Sequence, residues 1–371
     1  MTAIGGYTAC TSPPPEPAQI RALLRRYGWN TMSCQILTPG IAHWFAPGGD
    51  AVVGYVPVGG TWVVAGGPVC PPERLAETVA AFATAAAQRG RRVCYFGAEE
   101  RLITVGAAHG LRARLFLGAQ PVWNPHGWPA ILAHKASLRA QLARARHKGV
   151  TVTPLAPDLA AQSPALRGCL AEWLGMRGLP PMQFLVAPDV LAVPNDHRVW
   201  MAQRGETVVA YLVATPIPQR NGWLLEQLVR GQAAPNGTAE LLIDAAMRAL
   251  AAAGATYVTL GLAPLSDHAP ADNPAPPILT RALLTVARAH GRRFYNFAGL
   301  DAFKAKLQPD AWEPVYALSA ERQTSLGTLY AIAGAFGGAA PPVFLSHALL
   351  RAVAQEVHWA RGQLRRARLT S

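Results

Sequence analysis

The chain has 371 residues, which is long enough for two domains of ordinary size. Its hydrophobic share of 51% excludes an intrinsically disordered protein, and no apolar run approaches the ~18 residues of a membrane-spanning helix. The formal net charge of +13 favours a polyanionic partner, either a nucleic acid or an anionic membrane surface, although an Arg-rich coding bias gives the same excess.

The cysteines are Cys10, Cys34, Cys70, Cys94 and Cys169, and they are widely scattered. No C-x-x-C pair and no close Cys/His group occurs, so we predict no metal site. Their odd number, together with an N-terminus that lacks the pattern of a signal peptide, indicates reduced thiols in a cytoplasmic protein.

The first half of the chain predicts a compact α/β unit. Residues 1–18 are rich in Pro, Thr and Ser and predict a flexible N-terminus. The predicted elements that follow are, in order, a helix near residues 20–27, strands at 51–57 and 61–65, a helix at 71–89, a strand at 92–96, a helix at 99–108, a strand at 111–117 and a basic helix at 136–148. We therefore assign residues 19–150 to an N-terminal domain.

The second half predicts a similar order. Its elements are a helix at 163–177, strands at 199–202, 207–215 and 223–230, a helix at 238–253, a strand at 257–262, a helix at 277–290, and strands at 294–297 and 315–318 that close the sheet. This order is that of the GNAT acyltransferase fold, and we assign it to a domain of residues 151–320.

Residues 321–371 are predicted to form a C-terminal extension. Within it, residues 343–368 alternate apolar side chains with arginines, which predicts a basic amphipathic helix. Such a helix suits an anionic membrane surface, and the alternative is a helix packed on the protein with a disordered basic tail.

Three sequence blocks in the second half carry the most information. They are Pro235-Asn236-Gly237, the run of residues 261–266, and the aromatic run of residues 294–300 followed by Phe303-Lys304-Ala305-Lys306. Together they resemble the catalytic C-terminal domain of the phosphatidylglycerol lysyltransferases, which transfer an amino acid from its tRNA to a membrane lipid. The resemblance covers roughly residues 50–318 and is specific in residues 223–316.

The resemblance implies a fold and an activity. The fold is α/β (α+β), with tandem GNAT-like domains, each a mixed twisted sheet flanked by helices. The activity is transfer from aminoacyl-tRNA to a hydroxyl of an anionic lipid such as phosphatidylglycerol, by a peripheral protein at the inner face of the plasma membrane. Many relatives carry a large membrane-spanning region, so this chain is expected to be a stand-alone synthase part. No cofactor is expected, because the Gly-rich pyrophosphate loop of coenzyme A-dependent GNAT enzymes is missing.

The resemblance also assigns roles to individual residues. The catalytic candidates are Arg230, Lys304, Lys306 and Glu240. The substrate-binding candidates are Glu226, Gln227, Asn236, Gly237, Asn296 and Ser266. The family has an aspartate where this chain has Gln227, which can orient a substrate but cannot act as a base. Glu240 also fits a plain role as a first-turn partner of the helix dipole.

The predicted secondary structure adds geometry to these candidates. If the strand at 223–230 is regular, Glu226 and Arg230 share one face. Asn236 or Thr238 can cap the following helix, whose N–H groups then suit an anion such as the terminal phosphate of a tRNA. Since residues two apart on a helix do not share a face, only one of the two lysines at 304 and 306 should point into the site.

A basic cluster on the helix at 136–148 is a separate candidate. It consists of Lys135, Arg139, Arg144, Arg146 and Lys148. These side chains suit tRNA phosphates or lipid head groups, and the alternative is a solvated helix face without function.

Two further functions fit the same sequence. One is aminoacyl-tRNA-dependent transfer to a peptide or cell-wall precursor. The other is a catalytically idle lipid- or tRNA-binding module, which Gln227 favours and which the retained Arg230, Lys304, Lys306 and Asn296 disfavour.

Overall fold

A continuous mixed sheet forms the centre of the protein in the computed structural model, and helices cover it. The structure describes residues 17–176, 184–185, 189–193, 196–271, 273, 281 and 297–337. The described α-helices, numbered α1 to α10, are Pro17–Tyr27, Leu75–Ala87, Glu100–Ala108, Trp128–His134, Ala136–His147, Pro157–Gln162, Pro164–Gly175, Thr238–Ala252, Phe297–Lys306 and Leu326–Gly337. The described strands, β1 to β12, are Ala42–Phe45, Val52–Val58, Thr61–Ala65, Arg92–Ala98, Ala113–Trp123, Val150–Leu155, Arg198–Arg204, Thr207–Ile217, Gly222–Arg230, Tyr257–Thr259, Ala263–Pro264 and Ala311–Ser319.

The same arrangement of strands and helix occurs in each half of the chain. In the first half, β2 and β3 form an antiparallel pair, α2 crosses over, and β4 pairs in parallel with β3. In the second half, β8, β9, α8 and β10 repeat this pattern. A parallel pair needs such a crossover, and the helix packs on the sheet face. The repeat confirms the predicted α/β fold of tandem GNAT-like units.

The final strand of each half pairs with the other half. The sheet order is β1-β2-β3-β4-β12-β5-β10-β9-β8-β7-β6. β5 follows β4 in the chain but pairs with β10, and β12 lies between β4 and β5. The strand predicted at 315–318 therefore exists, but it does not close the sheet of its own half as expected. The sheet also continues across the domain boundary predicted at residue 150.

Apolar packing holds a helix on each parallel pair. Phe82 of α2 is fully buried and lies 5.5 Å from the Trp62 ring on β3, measured between centroids. On the second half, Leu242 and Met247 of α8 are fully buried in the core cluster that also contains Leu212 of β8. Burial of large side chains on one helix face fixes each helix on the sheet.

Local sequence signals explain several helix ends. The helix predicted at 71–89 begins as a short 3-10 helix, Pro72–Arg74, before α2. The Ser163 hydroxyl accepts a hydrogen bond from the Leu166 N–H at 3.3 Å and so caps α7.

Some predictions lie outside the described residues. These are residues 1–16 of the segment predicted at 1–18, nearly all of the helix at 277–290, residues 294–296 and the helix at 343–368. Residues 17 and 18, which the sequence places in a flexible segment, instead begin α1. Phe297 begins α9, so the strand predicted to end there does not include it. Within the described ranges, no helix combines the length and the apolar character needed to cross a bilayer.

Candidate functional site

The candidate site is the opening where β9 and β10 separate. These parallel strands pair only as far as Leu224 and Thr259. β9 then continues to Arg230, whereas the chain after β10 turns toward β5, where Ala263 pairs with Ala119. Strands that part in this way leave backbone groups without ladder partners, and these groups must find other partners or a ligand.

Lys304 of α9 fills one side of this opening. Its Nζ donates hydrogen bonds to the carbonyl oxygens of Gly261, at 2.7 Å, and Leu262, at 2.9 Å. The side chain is buried, with 3% exposure, and removal from water lowers the pKa of Lys304 to about 7, although the charge of Asp301 acts in the opposite direction. A neutral amine has two N–H groups. Because both N–H groups donate hydrogen bonds to carbonyl oxygens here, the lone pair of the neutral amine remains available to take a proton.

Packing of α9 against β5 fixes the position of Lys304. The Trp123 Nε1–H lies 3.1 Å from the carbonyl oxygens of both Leu307 and Gln308, directly after α9. Leu307 is fully buried in the core of the second half. A helix anchored at its C-terminal end holds Lys304 with little freedom.

Lys306 lies on a different side of α9 from Lys304, as the spacing of the two lysines predicts. Its Nζ forms an ion pair with Glu240 Oε1 at 2.5 Å. Glu240 is nearly buried in the first turn of α8. The pair therefore joins α9 to the N-terminal end of α8, while Lys304 faces the strand opening.

The N-terminal end of α8 is formed by Gly237 and has no side-chain cap. Gly237 is the N-cap residue with φ +95°, and the predicted cap by Asn236 or Thr238 is wrong. Asn236 is exposed, and the Thr238 hydroxyl donates to the Pro235 carbonyl at 2.7 Å. A Cβ on Gly237 would lie 2.1 Å from the backbone oxygen of Gln141, so α5 and α8 approach as closely as they do only because this residue is glycine.

Arg230 ends β9 beside this helix terminus. Its Nη2 lies 3.4 Å from the Ala234 carbonyl oxygen, and its buried Nε has no hydrogen-bond partner among the described residues. Buried donors in folded proteins are normally paired. An unmatched guanidinium N–H next to an uncapped helix N-terminus is an arrangement suited to an anion.

A β-bulge separates Glu226 from Arg230. Leu225 pairs with Ala214 and Gln227 pairs with Val213, so Glu226 is an extra residue in the register. The prediction that Glu226 and Arg230 share a face is wrong, because a bulge breaks the strict alternation of side chains.

Glu226 instead points to a polar group that comes from the first half of the chain. Its carboxylate accepts hydrogen bonds from the Thr215 hydroxyl and, at 3.0 Å, from Gln35 Nε2. Removal from water raises the pKa of Glu226, although the two hydrogen bonds act in the opposite direction. Gln35 lies on the 3-10 helix Ser33–Leu37, and its Oε1 accepts no hydrogen bond from the part of the chain that the structure describes. Sequence reasoning missed Gln35.

The remaining substrate-binding candidates have different surroundings. The Ser266 Oγ accepts a hydrogen bond from the Ala119 N–H at 3.0 Å and ties the chain after β11 to β5. Gln227 is buried, with 5% exposure, on the opposite side of the bulge from Leu225. Asn296 lies outside the described residues.

The predicted basic cluster divides into two sets on α5. Arg139 donates to the Leu132 carbonyl at 2.7 Å, and Arg146 pairs with the buried Asp244 of α8 at 3.1 Å. These two arginines hold helices together. The other members, Lys135, Arg144 and Lys148, form no ion pair with any described residue. They remain candidates for phosphate binding.

Arg220 forms a second polar group at the junction of the two halves. Its Nη1 lies 2.8 Å from Glu313 Oε2 on β12 and 3.4 Å from Glu99 Oε2 after β4, and its guanidinium stacks 4.3 Å from the Trp29 ring. The Tyr257 hydroxyl of β10 donates to Glu313 Oε2 at 2.9 Å. Burial raises the pKa of Glu99, and the charge of Arg220 opposes this. The network fixes β10, one border of the opening, to the first half.

Comparison with known proteins supplies the family. Residues 21–319 match the family model described as phosphatidylglycerol lysyltransferase, C-terminal. The chain belongs to this family. The phosphatidylglycerol lysyltransferase match includes Arg230, Lys304 and the Arg220 network.

Curated relatives match part of this chain. The lysylphosphatidylglycerol biosynthesis bifunctional protein LysX of Mycolicibacterium gilvum (strain PYR-GCK) is 29% identical over 238 residues, which are 62% of this chain and 21% of the relative. The chain therefore spans about a fifth of the length of the curated relatives it matches.

Two solved structures share the fold. The C-terminal domain of a putative lysylphosphatidylglycerol synthetase from Agrobacterium fabrum has a TM-score of 0.72 at 22% identity, covering 86% of this chain and 96% of that one. L-PGS from Bacillus licheniformis has a TM-score of 0.72 at 21% identity, covering 91% and 97%.

Proposed function

We propose that this protein transfers an amino acid from aminoacyl-tRNA to a hydroxyl group of phosphatidylglycerol or a similar anionic lipid. The family match supports the lipid as the acceptor class. The observation that carries the chemistry is Lys304, a buried amine with two matched N–H groups at the strand opening.

The reaction needs one proton acceptor and no further activation. The ester of an aminoacyl-tRNA is already reactive, so the lipid hydroxyl can attack its carbonyl carbon directly. Lys304 takes the hydroxyl proton as the new C–O bond forms. The tetrahedral oxyanion then collapses, the bond to the tRNA ribose oxygen breaks, and this oxygen receives the proton from Lys304. No covalent enzyme intermediate is required.

Other residues around the opening suit the two ends of the donor. Arg230 and the uncapped α8 terminus would hold the terminal phosphate of the tRNA. Glu226 and the Gln35 Oε1 are acceptors suited to the amino group of the amino acid. The Lys306–Glu240 pair would keep α8 and α9 at a fixed separation. Coenzyme A has no part in this scheme.

Transfer in a purified system tests the proposal. The protein is mixed with tRNA charged with radiolabelled amino acids and with phosphatidylglycerol vesicles, without coenzyme A or ATP. We expect label in the lipid fraction for at least one amino acid. Label that stays on tRNA for every amino acid, together with acyl transfer that acetyl-CoA supports, would overturn the proposal.

A further inference from the structure

One end of the sheet carries a dense group of arginines. β4 and β5 begin there and β12 ends there, since Ser319 pairs with both Cys94 and Ala113. We call this group the arginine edge; its members are Arg89, Arg91, Arg92, Arg112, Arg114 and Arg322. Arg112 and Arg322 are exposed, and neither forms an ion pair with a described residue.

Helix α10 begins at the arginine edge and exposes large apolar side chains. Leu326 is 51% exposed and Tyr330, one turn later, is 45% exposed. A Cβ on Gly327 would lie 3.1 Å from Arg92 Nη2, so the helix start and the arginines are neighbours. The opposite face of α10 is buried through Ala331 and Ala335, and therefore Leu326 and Tyr330 do not belong to the core.

We propose that the arginine edge and the exposed face of α10 form the surface that docks on an anionic lipid bilayer. Arginines attract anionic head groups, and adjacent leucine and tyrosine side chains enter the boundary between head groups and acyl chains. A nucleic-acid backbone is charged and has no apolar region that would bury an exposed leucine. The basic residues on and beside α5 that form no ion pair with a described residue, Lys135, Arg144 and Lys148, lack such apolar neighbours. Among the exposed residues between them are Ala136, Ser137, Ala140 and Ala143.

Apolar packing connects α10 to the candidate site. Ile332 and Phe336 of α10 pack in the same cluster as Leu117 of β5 and Leu262. The Leu262 carbonyl is one of the two that Lys304 binds. Along β5, Gly118 at the opening lies ~17 Å from Ala113 at the edge, at ~3.4 Å per residue. A bilayer on the arginine edge would therefore lie at about this distance from the opening that Lys304 faces.

Vesicle binding of full-length variants tests this surface. Sedimentation with phosphatidylglycerol vesicles is compared for the wild type, Leu326→Asp/Tyr330→Asp and Arg112→Glu/Arg322→Glu. The matched control is Leu159→Asp/Arg204→Glu, which changes an exposed leucine and an exposed arginine on the second half. We expect each edge variant to bind at least 10-fold more weakly, the control to bind within twofold of the wild type, and binding of uncharged tRNA to be unchanged in all.

Other results would overturn the docking surface. One such result is that both edge variants bind vesicles as tightly as the wild type does, whereas deletion of residues 338–371 abolishes vesicle binding. Another is loss of tRNA binding, with intact vesicle binding, on charge reversal at Arg112 and Arg322, which would make the edge an RNA surface. The choice of lipid rests on the proposed function, but vesicle binding is measured without aminoacyl-tRNA. A failure of amino-acid transfer therefore leaves this result unaffected.

Discussion

The state of Lys304 at neutral pH decides what this side chain can do. Burial lowers the pKa of Lys304 to about 7, so neutral amine and ammonium are both populated in the physiological range. Only the neutral amine combines two donated N–H groups with a free lone pair. A general base with such a pKa is well matched to a reaction near pH 7.

The first prediction concerns the pH dependence of Lys304 chemistry. Because the neutral form is the active one, kcat/KM should rise about 10-fold per pH unit below about 7 and level off above it. Lys304→Arg should abolish transfer, since a guanidinium stays charged. Lys306→Ala should lower the rate without moving the inflection. A rate that falls as pH rises through 7 would instead assign a charged Lys304 to oxyanion binding.

The free energy of unfolding should also depend on the protonation of Lys304, and the direction of this dependence can be derived. In the unfolded chain Lys304 returns to its ordinary pKa of 10.5, above the folded value of about 7. Between these values the unfolded state binds more protons, so the free energy of unfolding contributed by Lys304 rises with pH. The pH slope of denaturant midpoints should therefore be smaller in Lys304→Met than in the wild type over this range.

Arg230 gives the second prediction. Its partly unmatched guanidinium lies beside the uncapped end of α8, so it should contact substrate more than core. Arg230→Ala should lower kcat/KM about 100-fold or more, as for loss of a charge partner of the transition state, with an unchanged unfolding midpoint. Arg204→Ala, on β7, serves as the control. A folded Arg230→Ala protein with wild-type transfer would remove the anion site from this end of β9.

For single residues, the sequence indicates which side chains are candidates, but it predicts few of the contacts that they form. The spacing of Lys304 and Lys306 is enough to place them on different sides of a helix. Gln35 had no such signal, because its contact with Glu226 joins positions 191 apart. No local pattern reports a side-chain contact across that separation.

At the level of elements, the Arg220 network joins strands from both halves. Arg220→Met should leave the buried Glu99 and the partly exposed Glu313 without their cation. Because Glu99 then carries an unpaired buried charge, we expect a loss of ~3–5 kcal/mol in unfolding free energy. The pKa of Glu99 is already raised, so its protonation at low pH removes part of this penalty. Urea unfolding should therefore show a larger loss at pH 8 than at pH 5.

A second substitution checks that reasoning. Adding Glu99→Gln to Arg220→Met removes the buried charge and should restore part of the stability at pH 8. An equal loss at both pH values, or no recovery in the double variant, would show that Arg220 acts through packing on Trp29 rather than through charge.

The close approach of α5 and α8 gives the fourth prediction. Gly237 has φ +95° and its Cβ position lies 2.1 Å from Gln141 O, whereas Gly254 has φ +79° with nothing within 4 Å of its Cβ position. Alanine at either site should cost ~1–2 kcal/mol for the left-handed backbone. Gly237→Ala should cost a further ~1–3 kcal/mol for the clash. Equal unfolding free energies of the two variants would contradict the close contact.

The boundaries of helices and strands were partly predictable from the sequence, but the elements against which each one pairs or packs were not. Turn residues and apolar periodicity predict most described helices and strands, including the basic helix α5 and strand β9. The bulge at Glu226 and the glycine cap of α8 depend on neighbouring strands and on α5, which periodicity does not include. For the same reason, the position of β12 between β4 and β5 has no local signal.

For the whole molecule, the pairing of each half's final strand with the other half brings residues of both halves to the candidate site. β5 from the first half supplies Trp123, which anchors α9, and Ala119, which pairs with β11. Gln35 from the first half contacts Glu226. Neither half alone contains these contacts, so we expect the opening at β9 and β10 to need the intact chain.

Lipid mass spectrometry decides whether the protein attaches an amino acid to a membrane lipid. Lipids are extracted from cells that lack the protein, cells that produce it and cells that produce Lys304→Met at the same level. We expect an anionic lipid whose mass is increased by one amino-acid residue, in cells with the wild type alone. Identical lipid profiles in all three, with wild-type protein folded and abundant, would show that the protein does not transfer an amino acid to a lipid.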